Sequence, residues 1–345
     1  STEEIIPGEG VTEVRMLSDY FPDLAGTAGD TQIYVLQGEQ EGGSCLILGG
    51  THANELGGHM GAVLFVENAK VEAGTLYVIP RTNNSAFTHN DPQEGHPSTV
   101  HITTDEGNVR EFIHGSRATN PVDQWPDPDV YVNYMGQSLS GSENRNINRT
   151  YPGKADGTLT EMMSYGIVQL INTENIDVTV DLHEASPEYP VINALIAHER
   201  AMNLASNVVV DMQMEGVQIS LEPSPTDLRG LTHRELGDHT DTLALLMEAP
   251  NPAQGRLRDR TDEALVLTGK SETYVKAGEI GQLYVPYDEN GWPIEVRCAR
   301  HVFGIERILA NYSEMYEEPI IVTGMPSYDE LVKNGMGPYL NEPTT

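Results

Sequence analysis

Short apolar runs alternate along the chain with longer stretches that have helical spacing. Runs rich in Val, Ile and Leu, each bounded by Gly, Pro or polar residues, predict strands at residues 33–36, 45–48, 76–79, 177–182, 191–197 and 243–247. Apolar residues spaced as on one face of a helix predict helices at about 56–69, 159–172, 200–214, 259–277 and 298–316. This alternation predicts an α/β fold with a largely parallel sheet that helices cover on both sides.

Two segments interrupt the alternation. Residues 84–144 form a polar stretch with five prolines, and because a structureless loop of this length is unusual, we expect an ordered insertion. Residues 317–345 hold four prolines and few long apolar runs, which predicts an extended tail on the surface. The insertion carries four histidines whose spacing matches no metal site, so we expect loop residues at His89, His96, His101 and His114. The simplest organisation is one domain over residues 1–345.

The charge of the chain limits its partners. Its 52 acidic and 20 basic residues give a formal net charge of -32, and only five of the basic residues are lysine. Nucleic acid and anionic membranes would repel such a surface, so neither is an expected partner. A carboxylate-rich, lysine-poor surface stays hydrated in high salt, which leaves a marine or halophilic source and an idiosyncratic acidic protein as alternatives.

The cysteines and the first residues say little about the compartment. Cys45 and Cys298 are too few for a disulfide framework in a chain of this size, and we expect both to be unpaired packing residues. The sequence opens without a basic stretch or an apolar run, so we expect a signal peptide to be either absent or already removed. No segment has the roughly 18 apolar residues of a membrane span. We therefore expect a soluble protein, and a secreted or periplasmic location stays open.

Two of the predicted strands end on residues that suit metal binding. The run from Cys45 leads into His52-Ala-Asn-Glu55, where a His and a Glu three residues apart at a helix start can point toward a common centre. The run 176–182 ends at His183, and two histidines with one glutamate form a ligand set that catalytic zinc uses. A chance pair and a core histidine are the alternatives. Because the carboxyl ends of parallel strands meet at one edge of a sheet, we expect these side chains to lie together.

A third predicted strand, 242–247, ends on Glu248. A carboxylate that closes an apolar run is costly to bury unless it has a partner or its raised proton affinity is useful. Beside a metal site, Glu248 would act as a general base for water and then pass the proton to the leaving nitrogen. An exposed glutamate at a strand end is the alternative.

A compact polar segment, Asn144 to Gly153, is rich in Arg and Asn. Asn148 and Arg149 could hold a substrate carboxylate through charge-assisted hydrogen bonds, and Arg145 could stabilise a developing oxyanion. A solvated loop with two ion pairs is the alternative explanation of the segment.

Together, and in this order, these motifs resemble those of the zinc carboxypeptidase family. The resemblance covers roughly residues 30 to 310. It is closest to the branch of succinylglutamate desuccinylases and aspartoacylases, through the strings Gly49-Gly-Thr-His-Ala-Asn-Glu55, Asp181-Leu-His183 and Glu248-Ala-Pro-Asn-Pro-Ala-Gln-Gly255. Four motifs in one order are far more specific than any one of them alone.

The resemblance implies a three-layer α/β/α sandwich around a mixed, largely parallel sheet of about eight strands. It also implies one Zn²⁺ per chain and hydrolysis of an amide beside a free carboxylate. The implied zinc ligands are His52, Glu55 and His183. The implied general base is Glu248.

The resemblance also assigns the substrate contacts. Asn148 and Arg149 would bind the substrate carboxylate. Arg145 is the first choice for the arginine that stabilises the oxyanion, and Arg117 is the second. The substrate is either a peptide with a free C-terminus or an N-acyl amino acid, and the sequence does not choose between them.

Two other classes of function remain open. The same fold could serve a non-catalytic binding protein that keeps the pocket without the chemistry. From its charge alone, the chain could also be an acidic surface protein that depends on calcium or salt, which would hold no stoichiometric zinc. An intact set of ligands and base favours the hydrolase.

Overall fold

The computed structural model describes residues 5–91 and 94–344. Its strands are β1 Glu13–Met16, β2 Gln32–Gln37, β3 Gln40–Leu48, β4 Lys70–Ile79, β5 Thr99–Thr103, β6 Val109–Ile113, β7 Val130–Val132, β8 Ser138–Ser140, β9 Val178–Ala185, β10 Ala194–Ala197, β11 Ser220–Pro223, β12 Leu243–Pro250 and β13 Ile321–Thr323. Its helices are α1 Leu56–Asn68, α2 Leu159–Glu174, α3 Met202–Met214, α4 Thr232–His239, α5 Glu263–Thr268, α6 Glu272–Glu279, α7 Ile294–Tyr316 and α8 Tyr328–Asn334.

A mixed sheet forms the centre of the molecule, with nine strands among the described residues. Its order is β1-β2-β4-β3-β9-β12-β10-β11, and β13 pairs with β4 beside this path. The central strands β4, β3, β9 and β12 run parallel. Antiparallel pairs join β2 to β4 and β10 to β12, and β11 lies parallel to β10 at the edge. The carboxyl ends of β3, β9 and β12 therefore open at the same edge of the sheet.

Helices cover both faces of this sheet. Helices α1, α3 and α7 pack on one face around a large apolar cluster that includes Phe65, Leu204 and Ile305. Helix α2 packs on the other face with Ile167 and Leu170 in a second cluster. Because both faces of the sheet are covered, the central strands carry apolar residues on both sides. The continuous apolar runs in the sequence reflect this burial. The predicted α/β/α sandwich is confirmed.

Local sequence signals fix the ends of α2. Thr158 caps its first turn by accepting a hydrogen bond from the backbone N–H of Glu161, and the Glu161 side chain accepts in return from the backbone N–H of Thr158. Asn175 ends the helix in the left-handed conformation, with φ 51°. This capping box and left-handed cap are common helix boundaries, and they place β9 directly after α2.

The structure differs from the sequence prediction in two places. The helix predicted over 259–277 is broken into α5 and α6, because Gly269 adopts a left-handed φ of 60° and caps α5. The segment 317–345 is not an extended surface tail. It contributes β13 to the sheet and the helix α8, whose Leu331 is fully buried.

The polar segment 84–144 contains regular structure, as expected of an ordered insertion. It forms two antiparallel hairpins, one from β5 and β6 and one from β7 and β8. Pro92 lies outside the described residues. Among the described helices, none is both long and apolar enough to cross a membrane.

Candidate metal centre

Three side chains of types that can bind a metal meet at the edge of the sheet where β3 and β9 end. His52 follows β3, Glu55 immediately precedes α1, and His183 lies near the end of β9. The approach of α1 to β9 depends on Gly58, where a Cβ would lie 2.2 Å from the carbonyl oxygen of Leu182. Glycine at this position therefore allows Glu55 and His183 to come into contact.

These three residues form the buried cluster, and each is at most 3 % exposed. Nδ1 of His52 contacts one carboxylate oxygen of Glu55, and Nδ1 of His183 lies 3.1 Å from the other. The two imidazole rings are 5.0 Å apart between centroids and nearly perpendicular. One ligand atom from each residue lies within 4.8 Å of the others, so the buried cluster can hold a metal ion.

The surroundings of the buried cluster fit such an ion. Metal-binding histidines usually donate their second N–H to a fixed oxygen, which sets the ring orientation. Here Nε2 of His52 lies 2.8 Å from Oδ1 of Asn146. Nε2 of His183 lies 2.7 Å from Oδ2 of Asp181, although the angle is poor for a hydrogen bond. Both Nδ1 atoms are therefore left to face the carboxylate of Glu55.

Hydrogen bonds also fix the position of Asp181 beside His183. Asp181 accepts from the hydroxyl of Thr51 at 2.7 Å and from that of Thr232 at 2.7 Å. The backbone N–H of Thr232 donates to Oδ1 of Asn148 at 2.9 Å, and the hydroxyl oxygen of Thr232 lies 2.8 Å from the same atom. One network thus links His183 to Asn148 through Asp181 and Thr232.

Burial and mutual charge set the protonation of the buried cluster. Burial raises the pKa of Glu55, but the two histidines outweigh it and leave that pKa well below the ordinary value. Burial lowers the pKa of His52. Burial would also lower the pKa of His183, but Asp181 and Glu55 raise it well above the ordinary value. The carboxylates of Glu55 and Asp181 therefore favour a positive charge at this position. A bound divalent cation would supply that charge.

Glu248 stands beside the buried cluster with an unused oxygen. In the parallel pairing of β12 and β9, Glu248 lies directly opposite His183. Its Oε2 is buried and has no hydrogen-bond partner among the described residues. Burial raises the pKa of Glu248 to about 8. A carboxylate in this setting binds a proton readily, which is the property that a general base needs.

A cavity of about 740 Å³ opens over these residues. Its lining includes His52, Glu55, His183 and Glu248, with several polar and apolar groups from the surrounding loops and strands. Further lining residues include Arg117, Asn148, Arg149, Glu188, Val191, Ile196, Glu222, Leu231, His233, Leu246 and Arg256. The cavity is large enough for an amino-acid derivative or the end of a peptide.

Asn148 and Arg149 line the cavity. Thr232 occupies the amide oxygen of Asn148, so its amide N–H₂ is the group left for a ligand. The guanidinium of Arg149 donates to the backbone oxygen of Asn148 at 2.9 Å and lies 3.7 Å from Glu143. Burial lowers the pKa of Arg149. A nearly buried guanidinium beside an amide donor suits a carboxylate ligand.

The two candidate oxyanion arginines are placed differently. The structure does not bring Arg145 into the cavity, because its guanidinium binds both carboxylate oxygens of Asp127, at 2.7 and 3.0 Å, and the backbone oxygen of Thr119. Arg117 lines the cavity beside His52 and makes no side-chain ion pair within residues 5–91 and 94–344. The placement therefore corrects the order of preference in favour of Arg117.

Some lining residues carried a weaker signal in the sequence. Leu231 and His233 belong to the polar stretch before the Glu248 strand, which is rich in groups suited to a pocket wall. Arg256 follows the Glu248 motif directly and was not singled out. Glu222 lies on the four-residue strand β11, which no long apolar run indicates. Local pattern alone could not have assigned Glu222 to the cavity.

A second histidine-carboxylate group, the surface cluster, consists of His198, Glu199 and Asp238. Its carboxylates already have cationic partners. Arg234 binds Glu199 at 2.8 Å and Asp238 at 3.2 Å, and Arg229 binds Asp238 at 2.8 Å. We therefore interpret the surface cluster as an ion-pair network.

The histidines of the 84–144 insertion do not assemble a third group. His96 and His114 stack with their ring centroids 5.1 Å apart, and His101 binds Glu111 and Glu263. In the described part of the chain, none of them belongs to a set of three ligand-type residues that could hold an ion. His101 lies on strand β5, so the expectation of a loop residue is wrong at this position.

No protein-family model matches the sequence, and no curated protein is significantly similar to it. Several solved structures are similar. A succinylglutamate desuccinylase/aspartoacylase from Rhodobacter sphaeroides is 14% identical, and the alignment covers 87% of this chain and 61% of that one with a TM-score of 0.44. The product-bound ectoine utilization protein EutE from Ruegeria pomeroyi is 16% identical, with coverage of 86% and 64% and a TM-score of 0.46.

A metallo-carboxypeptidase from Burkholderia cenocepacia is 12% identical to the chain, with coverage of 89% of this chain and 66% of that one and a TM-score of 0.49. These structures include members of both groups that the sequence motifs resemble, the desuccinylase/aspartoacylase branch and the carboxypeptidases. The chain spans less than two thirds of the length of each of these three structures.

Proposed function

We propose that this protein is a zinc-dependent hydrolase that cleaves an amide bond beside a free carboxylate. The observation that carries the proposal is the unpartnered, buried oxygen of Glu248, which lies opposite His183 in the same cavity as the buried cluster. A cluster that only stabilised the fold would gain nothing from a further carboxylate oxygen that is buried without a partner, because such an atom is costly to bury.

The donor set favours zinc as the metal. Two imidazole nitrogens and one carboxylate, from His52, His183 and Glu55, are a common three-residue set in catalytic zinc sites, where a fourth position stays open. When bound, Zn²⁺ supplies Lewis acidity that polarises the amide carbonyl and lowers the pKa of water. Asn146 and Asp181 hold the histidine rings in the orientation that this binding needs.

Glu248 acts as the general base. Its carboxylate takes a proton from the water whose oxygen attacks the amide carbonyl carbon. It then passes that proton to the amide nitrogen as the carbon–nitrogen bond breaks, so the products are a carboxylic acid and an amine. Arg117 stabilises the negative charge that develops on the carbonyl oxygen.

Asn148 and Arg149 fix the substrate by its free carboxylate. Asn148 and Arg149 both line the cavity, and the amide N–H₂ of Asn148 and the guanidinium of Arg149 can together donate to both oxygens of a carboxylate. This contact places the scissile amide near the buried cluster and accounts for the preference for a bond next to a chain end. An N-acyl amino acid and a peptide C-terminus both present this carboxylate.

A panel of substrates tests the proposal. The zinc-loaded protein should hydrolyse N-acyl amino acids or short peptides with free C-termini, and it should leave the matching C-terminal amides intact because these lack the carboxylate. A chelator should remove the activity and added zinc should restore it. Equal hydrolysis of the free acids and the amides would contradict the role of Asn148 and Arg149. Full activity in a chelated, metal-free protein would contradict the hydrolase mechanism.

A further inference from the structure

One end of the cavity is lined by apolar side chains, unlike the metal centre. Ala194, Ile196 and Leu246 form a small apolar cluster, with Val191 packed against it, and Val191, Ile196 and Leu246 line the cavity. In the sheet, Ile196 pairs with Leu246 of β12 on one side and with Glu222 of β11 on the other. The apolar floor of the cavity therefore ends at a carboxylate.

The strand register places this carboxylate relative to the catalytic groups. Side chains two residues apart on a strand share a face, so Leu246 and Glu248 point to the same side of β12. Neighbouring strands lie about 4.8 Å apart, so β11 is roughly 10 Å from β12. Glu222 thus lies across the apolar floor from Glu248, at a distance that suits a long side chain between them.

The other carboxylates that line the cavity are already engaged, apart from the proposed base. Glu184 binds the guanidinium of Arg297 at 2.5 Å, and Glu188 accepts from the hydroxyl of Tyr274 at 2.8 Å. Across residues 5–91 and 94–344, the Glu222 side chain has neither a hydrogen-bond partner nor an ion-pair partner. Its position at the end of an apolar surface leaves its charge for a ligand.

We propose that Glu222 determines specificity and selects substrates whose side chain is apolar near the scissile amide and ends in a cation. The inference rests on the proposed function, since it names the substrate class of the same cavity. Arg149 and Asn148 take the carboxylate of the substrate, the apolar floor takes the methylene groups, and Glu222 takes the terminal ammonium or guanidinium. A net charge of -32 also draws a cationic side chain toward the protein over long range.

The alternative explanation is that Glu222 only protects the edge of the sheet, and it leads to a different expectation. β11 lies at the edge of the sheet, where charged residues commonly prevent pairing with another chain. A glutamate that served only this purpose would have no effect on which amino acid the cavity binds. The ligand preference of the wild-type protein and of a Glu222 variant therefore separates the two explanations.

The first experiment compares L-lysine with L-norleucine, which lacks only the terminal ammonium group, by titration calorimetry with the zinc-loaded protein. We expect lysine to bind about 100-fold more tightly, as for an ion pair that loses one partner inside a pocket. In Glu222→Gln the two amino acids should bind within a few-fold of each other. Glu215→Gln, an exposed residue that changes the net charge equally, should keep the wild-type preference. Equal affinities in the wild-type protein, or an unchanged preference in Glu222→Gln, would overturn the inference.

Turnover provides the second measurement. With Nα-acetyl-lysine and Nα-acetyl-norleucine as substrates, kcat/KM should be higher for the lysine derivative by a factor similar to the ratio of affinities. This ratio of kcat/KM values should fall toward one in Glu222→Gln. Glu222→Lys should shift the preference toward N-acetyl-glutamate. Hydrolysis of all three with no preference would contradict the role of Glu222 while supporting the hydrolase. Binding that follows the predicted preference without any hydrolysis would support Glu222 and contradict the proposed function.

Discussion

The buried cluster and the surface cluster contain the same kinds of residues in different surroundings. In the buried cluster, carboxylate and imidazole groups face each other, and no arginine or lysine of the described part of the chain forms an ion pair with them. Asn146 and Asp181 lie against the outer nitrogens of the rings. In the surface cluster, Arg234 and Arg229 already neutralise the carboxylates. The side chain of Glu199 is 60% exposed, so water solvates it as well.

This difference shows that residue type alone does not define a metal site. A cation binds where burial leaves negative charge unpaired and where neighbouring side chains fix the ligand atoms. The surface cluster lacks the unpaired charge, since guanidinium groups already balance its carboxylates. Variants of the buried cluster, each matched by a variant of the surface cluster, test whether only the buried cluster serves as a metal site.

The largest expected effect comes from the base beside the buried cluster. Glu248→Gln should lower kcat by about 10³-fold, because the amide cannot accept the proton from water. Glu235→Gln, a buried glutamate that binds Arg229 near the surface cluster, serves as the matched variant and should keep most of the activity per folded molecule. Steady-state kinetics with the best substrate of the panel gives both values.

Retained zinc in Glu248→Gln would show that the loss is chemical. A Glu248→Gln protein that keeps its full metal content and more than a tenth of wild-type kcat would contradict the assignment of Glu248 as the base.

The next largest effect on kcat is expected from the two candidate oxyanion arginines. Arg117→Ala should lower kcat by about 100-fold to 1000-fold, the range for loss of one oxyanion donor. Arg145→Ala should leave kcat near the wild-type value and reduce the free energy of unfolding, because Arg145 binds Asp127 and Thr119 instead of facing the cavity. Kinetics and urea unfolding of both variants check the pair. The opposite pattern would return the oxyanion role to Arg145.

A smaller effect is expected for Asp181, which lies against the outer nitrogen of His183. Asp181→Asn should weaken zinc binding by about 10-fold to 100-fold, because His183 loses the charge that orients its ring. Asp238→Asn in the surface cluster should leave zinc affinity unchanged. Competition with a fluorescent chelator measures both affinities. Equal affinities in the two variants would mean that Asp181 supports the fold and not the metal.

The smallest effect concerns pH and the surface cluster. Hydrogen bonds from Arg234 lower the pKa of Glu199 from 4.5 to about 2. The ionised form is thus favoured in the folded state, so its stabilisation is complete above pH 4.5 and disappears as the pH falls toward 2. Because Glu199 is exposed, the effect should be about 0.5 kcal/mol or less.

Urea unfolding of the wild-type protein and Glu199→Gln at several pH values measures this effect. The difference between them should be greatest near pH 5 to 6, shrink as the pH falls, and decrease in high salt. A difference that grew toward acid would contradict the ion-pair interpretation of the surface cluster.

The sequence predicts much of the fold because the central strands are apolar on both faces. Each of the six predicted strands is present, with shifted ends in some cases. His52, His183 and Glu248 could be found because each closes or follows such a run. The helix break at Gly269 could not be read from spacing alone, because a glycine within a helical pattern is often tolerated.

Other features depend on tertiary contacts that no local pattern shows. Arg145 and Arg117 have similar surroundings in the sequence, but the path of the insertion gives Arg145 a carboxylate partner and leaves Arg117 at the cavity. Glu222 lies on a short edge strand whose register with Ile196 alone brings it to the apolar floor. Strand β13 joins β4 from more than 200 residues away.

The most direct test of the central claim is elemental analysis of the purified protein and of one histidine variant from each cluster. The wild-type protein should contain about one zinc per chain, as expected for a single site with three protein ligands. His183→Ala should lose this zinc and His198→Ala should keep it. A folded wild-type protein that takes up no zinc when zinc is supplied, or a metal that is lost in His198→Ala and retained in His183→Ala, would contradict the account.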